Sequence, residues 1–335
     1  MREDCVIIND MSVPEMNLRV CVLMDDGYDN FDPGYYLQGC TWSKVVMVSP
    51  VLEKLRSLKE QNVFDVYLNL CDGCEEQDEE YSGMDVVRAL EELSLPFTGS
   101  DSRFYEPSRE EMQAVAEGHQ IGFVRGVNVP AVGEVEALTR GLRYPLIIKH
   151  PNSYGSTGMT KNSRVENVQK LRTQVKRICN RFGGARVEEF IDGLEYTVFI
   201  ADNPDDLNDP FVYPPAEVLI PNEEGFLHSH VKWIEYVYLK RVEDKILASR
   251  LKEMAWKMYR AMNGVGYARC DIRMDEAGEL FMIEINPNNG ILYEPKDIGH
   301  ADIMMEYDPD GHDGFLDRIF RSALVRHRER NLQTN

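Results

Sequence analysis

In the stretch YARCDIRMDEAGELFMIEINPNNGIL, at 267–292, two carboxylates and a carboxamide stand at the spacing of facing β-strands. Residues 269–274 alternate, with Arg269, Asp271 and Arg273 on one face and Cys270, Ile272 and Met274 on the other. DEAG at 275–278 reads as a turn. The returning residues alternate too, which predicts Phe281, Ile283 and Ile285 on one face and Met282, Glu284 and Asn286 on the other. With the polar faces in register, Asp271, Glu284 and Asn286 converge beside Arg269. These are hard oxygen ligands, suited to Mg²⁺ held jointly with substrate phosphates at about 2.0–2.1 Å. Arg269 then sits where negative charge develops. For any one of these residues alone, the plainer reading is a charged strand face in contact with water.

Two other segments gain meaning beside that hairpin. The loop YGSTG at 154–158 can bring backbone N–H groups close to phosphate oxygens, with the hydroxyl of Ser156 as a further donor. Lys149, ending the strand before it, supplies a point charge to the same phosphates. By itself a glycine-rich loop is usually only a turn. The segment VEEFI at 187–191 reads as a nucleotide hinge. Backbone groups of Glu189 and Ile191 would meet an adenine edge, and Glu195 would accept from ribose hydroxyls. Two antiparallel strands with an acidic edge would look the same.

The elements that position these residues read as follows. An apolar strand at 18–24 ends in DDG and is followed by an acidic, aromatic loop at 28–42. A helical pattern at 51–60, a strand at 63–70 and a helix at 84–93 complete a parallel α/β unit of about 100 residues. Ser108 caps a helix at 109–118. Strands at 146–149, 186–190 and 195–201 alternate with a helix at 165–182. Long helices follow at 242–263, directly before the hairpin, and at 314–330. Residues 202–236 mix proline, acids and short strands, and 1–17 read as a leader of uncertain structure. The lobes are expected to divide near Ser100 and near Pro130.

The chain has 335 residues, enough for two or three packed subdomains. Its formal net charge of −20 argues against general binding to nucleic acid or to a membrane surface, so an anionic substrate must be met by local cations. There is no apolar run long enough to span a bilayer, and acids interrupt the start MREDCVIIND before a signal peptide could develop. A soluble, cytoplasmic protein is the expectation. Seven scattered cysteines suggest reduced thiols, and the single C-x-x-C of Cys71 and Cys74 lacks a second pair at zinc spacing.

Taken together, YPLIIKH, YGSTGMTK, VEEFIDGLEYTVFI, ARCDIRMD and IEINPNNG resemble the ATP-grasp superfamily, and within it the D-alanine–D-alanine ligase group, over residues 64–292. The resemblance implies an α/β architecture with α+β lobes: an ATP-grasp fold behind an N-terminal parallel α/β unit. It divides the chain into a substrate-side unit at 1–100, a central nucleotide-binding subdomain at 101–200 and a C-terminal subdomain at 201–335 that carries the hairpin. In that family the positions matching Lys149, residues 188–191 (Glu188, Glu189 and Ile191 among them) and Glu195 hold ATP. Those matching Asp271, Glu284 and Asn286 bind two Mg²⁺ ions, for which Mn²⁺ can substitute. The position matching Arg269 faces an acyl phosphate, Gly290 stands where a backbone N–H serves the oxyanion, and Lys232 resembles the lysine of a loop that closes over the γ-phosphate. The implied reaction is ATP-dependent, ADP-forming amide synthesis between a carboxylate and an amine, both amino acids, in a homodimer.

The chain departs from that family at both substrate ends. LMDDGYDNFDPGYY lacks the glutamate motif that holds the first amino acid's ammonium, for which Asp25, Asp26, Asp29 or Asp32 would substitute. ILYEPKDIGHAD lacks the Ser-Leu pair for the second carboxylate, and Arg109 stands in for the lysine that opens the central subdomain. A ligase making another dipeptide or amino-acid conjugate is therefore the favoured expectation. A D-alanine–D-alanine ligase with divergent pockets and a catalytically weak ATP-binding interaction module are the alternatives.

Overall fold

The protein is described by a computed structural model covering residues 17–26, 32–74, 81–152, 155–220, 225–228 and 238–334. Strand β1 (Arg19–Met24) is buried from its second residue onward and lies between two parallel partners, β2 (Thr41–Val46) and β3 (Val66–Asn69). Helices α1 (Val51–Gln61) and α2 (Gly83–Glu92) turn Val51, Leu55, Leu58, Val86, Val87 and Leu90 onto one face of that sheet. Ser82 starts α2 with a reciprocal cap, its hydroxyl accepting from the Asp85 N–H while the Asp85 carboxylate accepts from the Ser82 N–H. A short ribbon of β4 (Gly73–Cys74) and β5 (Tyr81–Ser82) leads into the helix.

The expected α/β unit is therefore present, with one strand, β2, that the sequence reading did not name. β2 is half exposed and carries Thr41, Ser43 and Lys44. Such a strand does not show the apolar pattern of a buried one, and here backbone pairing with β1 decides.

Helix α3 (Arg109–Gly118) starts where expected, with the Ser108 hydroxyl accepting from the Glu111 N–H. The central sheet is antiparallel: β6 (Gly126–Val129), β7 (Leu146–Lys149), β8 (Arg164–Val165) and β9 (Ala185–Glu189), in the order β6-β9-β7-β8. Helices α4 (Val135–Leu138) and α5 (Val168–Phe182) bury Val135, Leu171, Val175 and Ile178 against it. The helix expected from residue 165 begins three residues later, because Arg164 and Val165 pair with β7 and Asn167 caps the helix. Pro130 follows β6 directly and so lies inside the central sheet's unit.

The third sheet comprises β10 (Leu194–Ala201), β11 (Phe211–Val212), β12 (Ala216–Leu219), β13 (Tyr238–Arg241), β14 (Tyr267–Met274) and β15 (Leu280–Asn286). Its order is β13-β12-β10-β14-β15, with β11 against β10. The expected division after residue 200 would cut through β10. Helix α6 (Lys245–Ala261) covers one face through Leu251, Ala255 and Met258, packed on Val198, Cys270, Ile272 and Met282. It starts later than expected, where Asp244 accepts from the N–H groups of Ile246 and Leu247. Two helices close the fold, α7 (His300–Glu306), which the sequence reading lacked, and α8 (Gly311–Thr334).

The free face of the N-terminal sheet and the C-terminal lobe share one core. Val20, Val22, Met24 and Leu68 meet Tyr267, Ile291, Phe315 and Ile319 there. Arg326 of α8 strengthens this junction: it pairs with buried Asp202 and donates to the carbonyls of Phe97 and Gly99. Gly266, at φ 82°, lies so close to Gly99 that any Cβ would collide with the Gly99 carbonyl. Among the described residues, no helix is long and apolar enough to cross a membrane.

Candidate active site

β14 and β15 pair with Asp271 opposite Glu284 and Arg269 opposite Asn286. Between Asp271 and Ile272 the register shifts, because Ile283 is an extra residue on β15 and Ile272 pairs with Met282. This corrects the expected faces. Plain alternation groups Met282 with Glu284, whereas the bulge lets Met282 pack fully buried in the core while Glu284 and Asn286 turn to the opposite side. The convergence of Asp271, Glu284 and Asn286 beside Arg269 stands. Arg269 Nε and Nη2 donate to Asp271 Oδ1 and Oδ2 at 2.9 and 2.8 Å, and Thr197 Oγ1 donates to Oδ1 at 3.0 Å. Burial opposes the charge on Arg269, but Asp271, Glu284 and Glu195 outweigh it and hold its pKa above the ordinary value. Arg109, almost wholly buried at the first turn of α3, pairs with Glu284. Asn286 Oδ1 accepts from the Asn288 N–H at 3.1 Å.

These groups line a cleft between the central and C-terminal sheets, together with Lys149, Ser156, Glu188, Glu189, Ile191 and Glu195. Lys149 Nζ lies 2.7 Å from Glu188 Oε2, and Arg186 Nε donates to Glu188 Oε1 at 3.0 Å. Burial alone would raise the Glu188 pKa, but Lys149, Arg109 and Arg186 together bring it down to about 2. Glu195 goes the other way: burial raises it, and Arg273, 3.7 Å distant, offsets only part of that. Ser156, at φ 60°, donates from Oγ to the Leu227 carbonyl at 3.0 Å.

Two residues of the expected hinge also make contacts within the protein. The Glu189 N–H is used on the Arg125 carbonyl at 2.8 Å, and its carboxylate is held by Arg125 and Arg143, so its backbone donor does not face a ligand. Glu188 is the ion partner of Lys149 and lines the cleft. Ile191, just past β9, remains on the cleft wall. Lys232, Asp29 and Tyr154 lie outside the described residues.

The cleft also contains residues that sequence reasoning missed. Arg273 spans Glu195 and the carbonyls of Gly193 and Gly225, with its guanidinium 4.6 Å from the Phe190 ring centroid. Its place opposite Glu195 in the β10–β14 register was the available signal. His150 and His300 line the cleft too, and nothing in their spacing marked them. Burial, with Arg109 adding, lowers the His150 pKa, so its neutral form is favoured.

The donor set fits a divalent cation shared with phosphates. Among the described residues no three His, Cys, Asp or Glu side chains gather at one point. Two facing carboxylates and an amide oxygen supply only part of an octahedral shell, leaving the rest to water and phosphate oxygens, as Mg²⁺ prefers. Lys149, Arg109, Arg269 and Arg273 on the same walls supply the cations that a polyphosphate needs.

A second cavity, roughly 620 Å³, opens where the carboxyl ends of β1 and β3 meet the loop at 288–293. Its lining includes Asp25, Asn69, Asp72, Asn289, Gly290 and Tyr293, and among the described residues no Lys, Arg or His. Asn289 is 5% exposed, and its Oδ1 has no hydrogen-bond partner among the described residues. Asp25 is already engaged, accepting from the N–H groups of Asp72 and Gly73 and from the Tyr81 hydroxyl at 2.7–2.9 Å. Asp72 keeps much of its surface in solvent, but the protein crowding its carboxyl, with Asp25 adding, raises its pKa to about 6. Beside it the Cys71 thiol is buried and held well above its ordinary pKa by that burial, which makes it a poor thiolate ligand or nucleophile.

A family model described as the D-ala D-ala ligase C-terminus matches residues 128–293. The D-alanine–D-alanine ligase of Lactococcus lactis subsp. cremoris (strain SK11) is 25% identical over 232 residues, covering 64% of this chain and 64% of the relative, so the chain spans just under two thirds of that protein. The solved D-alanine–D-alanine ligase of Coxiella burnetii superposes with a TM-score of 0.71 at 16% identity, covering 95% of this chain and 97% of that one. The Bacillus anthracis enzyme complexed with ATP gives 0.66 at 16% identity over 93% and 99%. Residues 128–293 thus match the D-ala D-ala ligase C-terminus model, and the chain as a whole has the fold of the solved D-alanine–D-alanine ligases.

Proposed function

We propose that this protein is an ATP-dependent, ADP-forming carboxylate–amine ligase that joins amino acids through an acyl phosphate. The observation that carries the reading is the facing pair Asp271 and Glu284, each on an arginine, in one cleft with the buried Lys149–Glu188 pair. A carboxylate oxygen of the first substrate attacks the γ-phosphorus and the bond to the ADP oxygen breaks. The amine nitrogen of the second then attacks the acyl carbon, inorganic phosphate leaves, and the amine proton passes to solvent. Mg²⁺ bound by Asp271, Glu284 and Asn286 would supply charge neutralisation for the phosphates.

Lys149, held in place by Glu188, and Arg109 meet the phosphates. Arg269 faces the acyl phosphate and the tetrahedral intermediate, with the Gly290 N–H as oxyanion donor. Glu195 accepts from the ribose, Ile191 borders the base, and Ser156 and Lys232 add donors to the phosphates. The likeness to an ATP-complexed ligase and the cations along the cleft support this reading.

The first substrate is an amino acid held in the second cavity, where Asp72 and Asn289 Oδ1 supply acceptors suited to an ammonium group. With both amino-acid ends of the family pattern altered, its partner need not be D-alanine. A homodimer in the cytoplasm completes the proposal, with light scattering as the check on the dimer. The deciding experiment is a phosphate-release screen with ATP, Mg²⁺ and pools of D- and L-amino acids, followed by mass spectrometry of the product. Absence of amide product from every pool would overturn the reading.

A further inference from the structure

The loop at 288–293 bends at Leu292, whose φ of 61° lies in the left-handed region, a conformation strained for a leucine. Its side chain is fully buried, so the bend is fixed from inside. Asp302, which has no exposed surface, holds it. Its Oδ1 accepts from the Leu292 N–H at 2.7 Å and lies 3.1 Å from His312 Nε2, while Oδ2 accepts from the N–H groups of Tyr293 and Gly299 at 3.3 Å each. Capping α7 accounts for the Gly299 bond alone; the other contacts reach the cavity loop and α8.

The clamp has a second side. His312 stacks on the Tyr36 ring at 4.1 Å between centroids, and the Tyr36 hydroxyl donates to the Tyr293 carbonyl at 2.9 Å. Tyr293 in turn covers Gly290, where any Cβ would collide with the Tyr293 hydroxyl.

We infer that Asp302, backed by His312 and by Tyr36 of the N-terminal unit, is a positioning residue that holds the 288–293 loop so that the Gly290 N–H and Asn289 Oδ1 face the substrate cavity. The catalytic half of this inference rests on the reading of that cavity as the acid-substrate site. In Asp302→Asn an amide NH₂ replaces one acceptor and meets N–H groups, so the bend loses its hold.

Hydrogen exchange tests the clamp without any substrate. The Leu292 and Tyr293 amides should exchange at least about tenfold faster in Asp302→Asn, while Ile285 in β15 stays as in the wild type. Equal exchange at Leu292 would overturn the clamp. Turnover with ATP, Mg²⁺ and an amino-acid pool tests the catalytic half. Here kcat for amide formation should fall about tenfold, KM for ATP should stay within twofold, and phosphate released per amide bond should rise. A KM for ATP that rises in step with the loss of turnover would show a general structural role and overturn the inference. If Asp302→Asn does not fold, Tyr36→Phe, which loses a single hydroxyl, carries both measurements, with about threefold changes expected. A wild type that makes no amide sinks the reading of the cavity and the catalytic half with it, and the exchange arm still decides the clamp.

Discussion

Lys149 and Glu188 form an ion pair that is almost wholly buried, with Arg186 on the second carboxylate oxygen. Breaking such a pair from one side leaves an uncompensated charge in a poorly hydrated place. Glu188→Gln is therefore expected to lower stability at neutral pH by about 3 kcal/mol, measured by urea unfolding. The pH dependence follows from the depressed carboxyl. Its folded pKa of about 2 lies below its ordinary 4.5, so the pairing stabilises the fold above about pH 4.5, and that stability is lost as pH falls toward 2. Between those limits the wild type should lose more stability than Glu188→Gln.

Glu284→Gln removes one ligand charge while the β14–β15 ladder stays paired. Turnover should fall by about a hundredfold or more, with unchanged circular dichroism and a higher Mg²⁺ requirement. A folded variant with wild-type turnover would sink the metal assignment.

The products of ATP separate mechanistic classes. Attack at the γ-phosphorus gives ADP and phosphate, each stoichiometric with amide, which chromatography of a single turnover can read directly. AMP with pyrophosphate would mean an acyl adenylate and a different enzyme class.

The aspartates after β1 divide into unlike roles. Asp25 is 3% exposed and holds three donors, so Asp25→Asn should lower thermal stability, by about 1–3 kcal/mol, before it alters substrate choice. Asp72→Asn should instead raise KM for the first amino acid about tenfold and leave KM for ATP unchanged. Because the Asp72 carboxyl ionises near pH 6, among Asp25, Cys71, Tyr105 and Tyr267, that KM should fall as pH rises through 6 in the wild type. The variant should be flat over the same range.

Much of this was legible in the sequence for physical reasons. Asp271, Glu284, Asn286 and Arg269 lie on paired strands with a tight turn, where side-chain direction follows from parity, and Ser108 and Lys149 sit at element ends that carry their own signals. The Ile283 bulge was not legible, since nothing local distinguishes an extra strand residue from the next alternation. Nor was the use of the Glu189 N–H by Arg125, or Asp25 as a structural acceptor, because both depend on residues distant in sequence meeting through the fold. β13 and α7 were too short for periodicity to mark, and β2 was too polar.

The bond from Arg326 to the Phe97 and Gly99 carbonyls also bears on how the chain is made. Gly99 and Ser100 are wall residues of the second cavity, yet the guanidinium that secures this seam is encoded more than two hundred residues later. A nascent chain can pair the three N-terminal strands and dock their two helices early, since those contacts are local, while the sheet's other face waits for the C-terminal lobe. The seam has to wait until Arg326 has left the ribosome. A polypeptide stalled before that point would carry the finished Asp271–Glu284 hairpin beside an unsecured cavity wall, and translation itself thus sets the order in which the two halves of the site come into being.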